Sequence, residues 1–397
     1  MRSFQCVQRV VAPGKPTRRG LLLALLGMVT FALWMPWLSP PSSSLFHLEE
    51  EPKLAGNSDV HPDALVTSVL HPDTPEQAPL NTLVPFTVKT TTHQMSEYEE
   101  IFPQHGKSEP GQHYRVENTA ILVGPCNTDN NSVLIVCVLN DAKSWGRNRN
   151  MEDFFKIIGS FDYTKSKISI TLLTSSMTEL NKAKQLFGLY IEHYPRLSVI
   201  FRNDLSPVGI TRENRHQHSL QASRRRMLAR YRNYALLSTM ESWHQHVVWV
   251  DADITGIPTG LLRKMVQSDR DILEPMCVRN IRGQWLNYDK NAWVGHRKVR
   301  ATNDKNFVPG PLNARSFHNL PDKSKTFVPL DSVGGTMLYV RADIHRQGVV
   351  FPVHYVIGSE WGREGYDGIE TEGLCYSAHF LGYKCWGMPH DAIQHAL

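Results

Sequence analysis

Val133-Leu134-Ile135-Val136-Cys137-Val138-Leu139 is seven apolar residues without a break. A strand with one face in water alternates apolar and polar residues; a continuous run belongs to a strand covered on both faces. Working outward, Met151–Phe161 reads as a helix and Ile168–Leu173 as a second strand. Ser176 and Glu179 have the spacing of a capping box, opening a helix through Tyr190 that stops before Pro195. Leu197–Phe201 reads as a third strand, about Leu220–Met240 as a long helix, and Val247-Val248-Trp249-Val250 as a fourth strand. Strands alternating with helices predict an α/β fold, a mostly parallel sheet with helices on both sides. Such sheets bind ligands beyond the carboxyl ends of their strands. The chemistry is therefore sought just after Leu139, Leu173 and Val250.

Asp251-Ala252-Asp253 begins where the fourth apolar run ends. Two carboxylates at i and i+2 beyond a strand end can converge on one hard divalent cation. A cation there would neutralise a diphosphate and stabilise a leaving nucleotide. The same residues also serve as a simple turn, because Asp bonds nearby backbone N–H groups. Asp251-Ala252-Asp253-Ile254-Thr255 fits the D-x-D-x-T signature of aspartate-nucleophile phosphatases as well. That reading is disfavoured, because the pair follows a fourth strand rather than a first and no later lysine-plus-acid motif accompanies it. Upstream, Arg226, Arg230 and Asn233 share one helix face at i, i+4 and i+7, and arginine suits phosphate oxygens. Downstream, Gly334-Gly335 permits close backbone approach. Glu370 and Glu372 stand where a helix begins and can accept hydrogen bonds from sugar hydroxyls. His395 can complete a metal site made by the two carboxylates, provided the fold returns it to Asp253.

The chain of 397 residues is 41% hydrophobic and 20% charged, enough apolar material for a core. Its formal net charge is +5, and residues 1–20 hold five basic residues and no acid; the remainder is neutral, with 38 of each sign. Bulk charge therefore gives no support for nucleic-acid binding. Leu21–Leu38 is 18 residues without a charge. At 1.5 Å per residue it spans roughly 27 Å, close to a hydrocarbon core. The basic residues before it place the short N-terminus in the cytosol. A cleaved signal peptide would have a shorter apolar region and a small-residue site. The expected organisation is a basic tail (1–19), a transmembrane signal anchor (20–38), a luminal stem (39–115) and a luminal domain (116–397). Ten of the 24 prolines fall in the stem, from Pro40 to Pro110. A luminal address permits disulfides. Five cysteines lie beyond the membrane, so at least one has no intrachain partner. Asn130-Asn131-Ser132 is a glycosylation sequon.

Several segments form an ordered set: R-R-x-x-A-R-x-R-N-x-x-L at Arg225–Leu236, V-V-W-V-D-A-D-I at Val247–Ile254, and Tyr288-Asp289-x-Asn291-x-Trp293. V-G-G-T at Val333–Thr336, F-P-V at Phe351–Val353, I-E-T-E-G at Ile369–Gly373 and the final His395 follow. Together they resemble the fungal Golgi α-1,6-mannosyltransferases of glycosyltransferase family 62, the mannan polymerase complex subunits. The resemblance covers about Asn131 to the C-terminus. It implies a GT-A-like, Rossmann-type domain, GDP-mannose as donor, Mn²⁺, and retaining transfer to an α-1,6-mannose backbone of cell-wall N-glycan mannan. It implies a Golgi type II membrane protein working with other complex subunits on a mannose-containing acceptor. Carried over, Asp251 and Asp253 are the metal and donor-phosphate motif, and His395 a further metal or phosphate contact. Arg226, Arg230 and Asn233 lie close to the nucleotide. Glu370 and Glu372 line the sugar or acceptor side, and Val138 and Leu139 face the base. His354–Asp367 is an insert longer than usual for the family, and the polar stretch Arg297–Lys325 matches none of its motifs. The competing reading is a non-catalytic structural subunit of such a complex; the intact acidic pair argues for activity.

Overall fold

The structure, a computed structural model, describes residues 87–92, 94–123, 131–207, 209–297, 312–320 and 324–396. These belong to one compact unit, Glu76–Leu397. The anchor reading at 20–38 and the sequon Asn130 lie outside the described residues, among which no helix is long and apolar enough to cross a membrane.

The strands are β1 (Thr87–Thr92), β2 (Met95–Phe102), β3 (Gly111–Asn118), β4 (Val133–Leu139), β5 (Ile168–Thr174), β6 (Arg196–Phe201), β7 (His246–Val250) and β8 (Ile254–Gly256). After them come β9 (Ile272–Ile281), β10 (Gln284–Asn287), β11 (Trp293–Val294), β12 (Arg315–Ser316), β13 (Val328–Leu330), β14 (Met337–Arg341) and β15 (Cys385–His395). The helices are α1 (Thr119–Val123), α2 (Met151–Gly159), α3 (Met177–Tyr190), α4 (Gln221–Thr239), α5 (Leu261–Gln267), α6 (Ala342–Arg346) and α7 (Thr371–Phe380).

One sheet takes the order β1-β2-β3-β6-β5-β4-β7-β14-β9-β15-β13, with β10 on β9 and β8 on β15. Its central strands β6-β5-β4-β7 are parallel, as the alternating strand and helix pattern requires. The expectation of a mostly parallel sheet holds only there. Both flanks are antiparallel apart from the β9–β15 pair. The physical reason is connection length: β1, β2 and β3 follow one another through short turns, which allow only antiparallel pairing. Strands β1 and β2 and the first part of β3 fall within the segment read as stem, and β3 covers the edge of β6 along its length.

Strand β4 shows why the run at 133–139 is unbroken. Val133, Ile135, Cys137 and Leu139 enter one core cluster, with Phe154 and Phe155 of α2 and Phe187 of α3. Leu134 and Val136 enter the cluster on the other face, with Ala235 and Leu236 of α4 and Leu374 of α7. Period-two alternation thus feeds two cores, and both faces are dry.

Candidate functional site

Strand β7 ends at Val250, and Asp251 follows with its N–H bonded to the Thr336 carbonyl at 2.9 Å. This fixes the acidic pair over the sheet's carboxyl edge, where the sequence placed it. Strand β8 starts one residue after Asp253 and pairs with the end of β15, setting His395 opposite Ile254. The pairing brings a residue 142 positions away in the chain onto the acidic pair: His395 Nε2 lies 3.1 Å from Asp253 Oδ1. Tyr288 stacks on the imidazole at a centroid distance of 3.7 Å. The Ala396 N–H also donates to the Asp253 carbonyl at 2.8 Å.

His395 Nδ1 lies 2.6 Å from the Ala396 carbonyl. A carbonyl only accepts, so Nδ1 carries a proton. Nε2 then meets a carboxylate, also an acceptor. A second proton on the ring resolves the contact, and so does a divalent cation held between the two groups. The groups present therefore fit a cation: a carboxylate, an imidazole with its other nitrogen tied to backbone, and a neighbouring Asp251. Burial alone would lower the His395 pKa, but the Asp253 hydrogen bond and charge outweigh it and raise the net value. Burial, aided by Asp253, pushes Asp251 up to about 7 against the pull of Arg232. Asp251 itself keeps 38% of its side-chain surface.

Asp251 is turned to Arg232, 3.3 Å from its Nη2, and among the described residues no group of three His, Cys, Asp or Glu side chains forms a ready-made metal cluster. Asp253 and His395 form the contact, with Asp251 beside them.

Arg232, within the R-R-x-x-A-R-x-R-N segment, is the hub of the site. It is buried, pairs with Glu370, approaches Asp251, and donates to the Gly335 carbonyl at 3.1 Å. One turn pair away, Arg225 binds Glu372 at 2.6 Å, and Arg297 binds the same carboxylate at 3.2 Å and Asp367 at 3.1 Å. Glu370 and Glu372 are thus buried and arginine-paired rather than open to a sugar. Residues 225 and 232 stand at i and i+7, so they share the helix face that meets the acids.

The face chosen from sequence is the neighbouring one. Arg226 donates to the Val353 carbonyl at 3.0 Å and pairs with Glu364. Asn233 exchanges two hydrogen bonds with Phe351, at 2.8 and 2.9 Å. These two clamp the Phe351–Val353 segment, and Arg230 is exposed. Leu139 packs into the core; Val138 stays half-buried against the opposite cluster.

The paired glycines serve close approach within the protein. A Cβ on Gly334 would lie 1.9 Å from Asp289 Oδ2, and one on Gly335 would lie 2.5 Å from Arg232 Nη1. Asp289 accepts from the Gly335 N–H at 3.1 Å and the Thr336 hydroxyl at 2.8 Å, while the buried Glu274 accepts from the Gly334 N–H at 2.7 Å. Burial first, then Asp289, raises the Glu274 pKa. Glu370 has φ +60° and ψ −131°. A non-glycine residue there stores strain, held by packing and by the Arg232 ion pair. The V-G-G-T and Tyr288-Asp289 motifs were visible in sequence, but their mutual contact was not.

The family model described as Anp1 matches residues 112–354. The chain is 26% identical over 264 residues to the mannan polymerase complex subunit mnn9 of Schizosaccharomyces pombe, covering 61% of this chain and 75% of that one. It is 24% identical over 220 residues to the mannan polymerase II complex anp1 subunit of the same yeast, covering 51% of this chain and about half, 49%, of the relative. Among solved structures, a mannosyltransferase from Pyrobaculum calidifontis in complex with GDP-Man and Mn2+ is 13% identical, with a TM-score of 0.40, covering 70% of this chain and 62% of that one. The chain belongs to the Anp1 family.

Proposed function

We propose that the chain is a GT-A-like, metal-dependent mannosyltransferase. It transfers mannose from GDP-mannose, with retention, to the 6-hydroxyl of a mannose-containing acceptor, building α-1,6-mannan for the cell wall. Its luminal domain stands on a stem behind a single N-terminal anchor in the Golgi membrane. It works beside other subunits, as its relatives are named for mannan polymerase complexes. The observation that carries this reading is the Asp253–His395 contact beside Asp251 at the sheet's carboxyl edge.

Asp253 and His395 would hold the Mn²⁺, with Asp251 assisting. The ion would supply charge neutralisation for the leaving diphosphate. Arg232 holds Asp251 and Glu370 in fixed positions around the same point. Arg225 and Arg297 hold the Glu372 carboxylate in place. No protein nucleophile is needed where the leaving phosphate assists attack from its own face of the sugar.

The test is transfer by the purified full chain given GDP-mannose, Mn²⁺ and a short α-mannoside, with Asp253→Asn and EDTA as controls. An α-1,6-linked product lost in both controls supports the reading. A folded chain that neither transfers nor binds GDP, yet restores a partner subunit's activity even as Asp253→Asn, would leave the structural-subunit role.

A further inference from the structure

An open cleft of about 550 Å³ lies between the loop after β4 and the β9–β10 hairpin, with His395 in its wall. Arg147 and Arg149 come from the loop, Arg282 and Trp285 from the hairpin, and Gln394 from β15. None of the described side chains that line it is acidic. A cleft for a neutral glycan needs acceptors for hydroxyl protons; this one offers mainly donors and positive charge.

Two further observations point to an anionic occupant. Arg149 spends Nη1 on the Trp145 carbonyl at 3.1 Å, while its Nη2 is buried with no hydrogen-bond partner. A buried guanidinium donor left unmade is costly. Arg282 sits at φ +52° in a two-residue turn with Gly283 at φ +85°. That turn favours Asn, Asp or Gly at its first position. An arginine there strains the backbone while holding its charge at the cleft mouth. Trp285 is next but one to the glycine and 53% exposed, so its ring offers an uncovered aromatic surface.

We propose that this cleft binds an anionic saccharide, with a pyranose ring stacked on Trp285 and a phosphate or carboxylate substituent held by Arg149 and Arg282. Arginine's planar fork matches either anion. The site goes beyond the transfer reading, since binding here needs neither metal nor donor nucleotide.

The test uses the purified full chain in EDTA and mannose 6-phosphate as probe, followed by calorimetry. The expected result is binding of mannose 6-phosphate, with inorganic phosphate weaker and neutral mannose undetected. Arg282→Gly should weaken binding by about tenfold or more, the range for a lost charged hydrogen bond, while its melting temperature holds or rises because glycine suits the turn. Trp285→Ala should weaken the sugar phosphate but leave inorganic phosphate unchanged. Binding of the probe in EDTA, with no Mn²⁺ and no GDP present, separates this site from the transfer reading. No binding by the folded chain would overturn the proposal, as would affinities equal in both variants and the parent. It would also be overturned if inorganic phosphate bound as tightly as the sugar phosphate. GDP that displaces the probe only with Mn²⁺ and an intact Asp253 would assign the cleft to the donor and overturn it too.

Discussion

Replacing Arg232 by methionine keeps its apolar stem but removes the guanidinium that stands between Glu370 and Asp251. Glu370 is then a buried carboxylate without its guanidinium, keeping the Thr371 hydroxyl at 3.0 Å. Breaking such a pair from one side costs about 3–5 kcal/mol, so urea unfolding of Arg232→Met should show a loss of that size. A loss below about 1 kcal/mol, the value of an exposed pair, would contradict the hub role. At Gly334 the obstacle is steric. Its Cβ would fall on the Asp289 carboxylate, which is already engaged by Gly335 and Thr336. Overpacking of this kind costs about 1–3 kcal/mol, and Gly334→Ala should lose at least that in the same measurement. Asp253→Asn differs in kind. Its side chain is 32% exposed, so the melting temperature should stay nearly unchanged while metal-dependent GDP binding disappears. The residue types of this site were legible in sequence; Arg232 rather than Arg230 as the contact was not, because a helix turns 100° per residue and sequence does not state which face meets the sheet.

Among the elements, caps and buried histidines separate what local sequence dictates from what a neighbour takes over. Asn150 and Asp153 form a full reciprocal capping box at the start of α2. At α3, Ser176 accepts the Glu179 N–H, but Glu179 turns to the Trp145 indole at 2.7 Å. The box expected there is half made because a buried Trp N–H needs an acceptor more than an exposed N-terminus does. In α6, His345 donates from Nδ1 to the Val349 carbonyl at 2.7 Å and accepts the Trp249 indole N–H on Nε2 at 3.4 Å. This neutral tautomer has no room for a second proton, and burial, the main cause, lowers its pKa from 6.5 to about 4. The unfolded chain therefore binds the proton first. The stabilisation is full above pH 6.5 and is lost as pH falls from 6.5 towards 4, by about 1.4 kcal/mol per pH unit. His345→Gln should flatten that part of the stability–pH curve by one proton; unchanged slopes would contradict it. The disulfide Cys375–Cys385 ties α7 to β15 across a sequence separation of 10. A loop of that size is worth about 2–3 kcal/mol, so Cys375→Ser should show that loss under oxidising conditions.

Across the whole molecule, the sheet reaches further toward the N-terminus than the composition of that region indicates. A chain beginning at 116 lacks β1, β2 and most of β3, which leaves the β6 edge and its cover of Tyr114 unmade. Such an edge pairs with other chains. A chain starting at 116 should be insoluble, while one starting at 76 should give a soluble, cooperatively folding protein; equal solubility would show that β2 and β3 are dispensable. The central strands, their helices and the acidic pair were fixed by the chain's own periodicity. An unbroken apolar run of seven residues has no stable place except between two covered faces, and carboxylates after such a strand emerge at its carboxyl edge. Tertiary structure decided the antiparallel flanks, the Arg232 hub and the arrival of His395 at Asp253. Each depends on pairing between segments many residues apart, β8 with β15 or α4 with the Gly334-Gly335 turn, and no local propensity encodes a partner that distant.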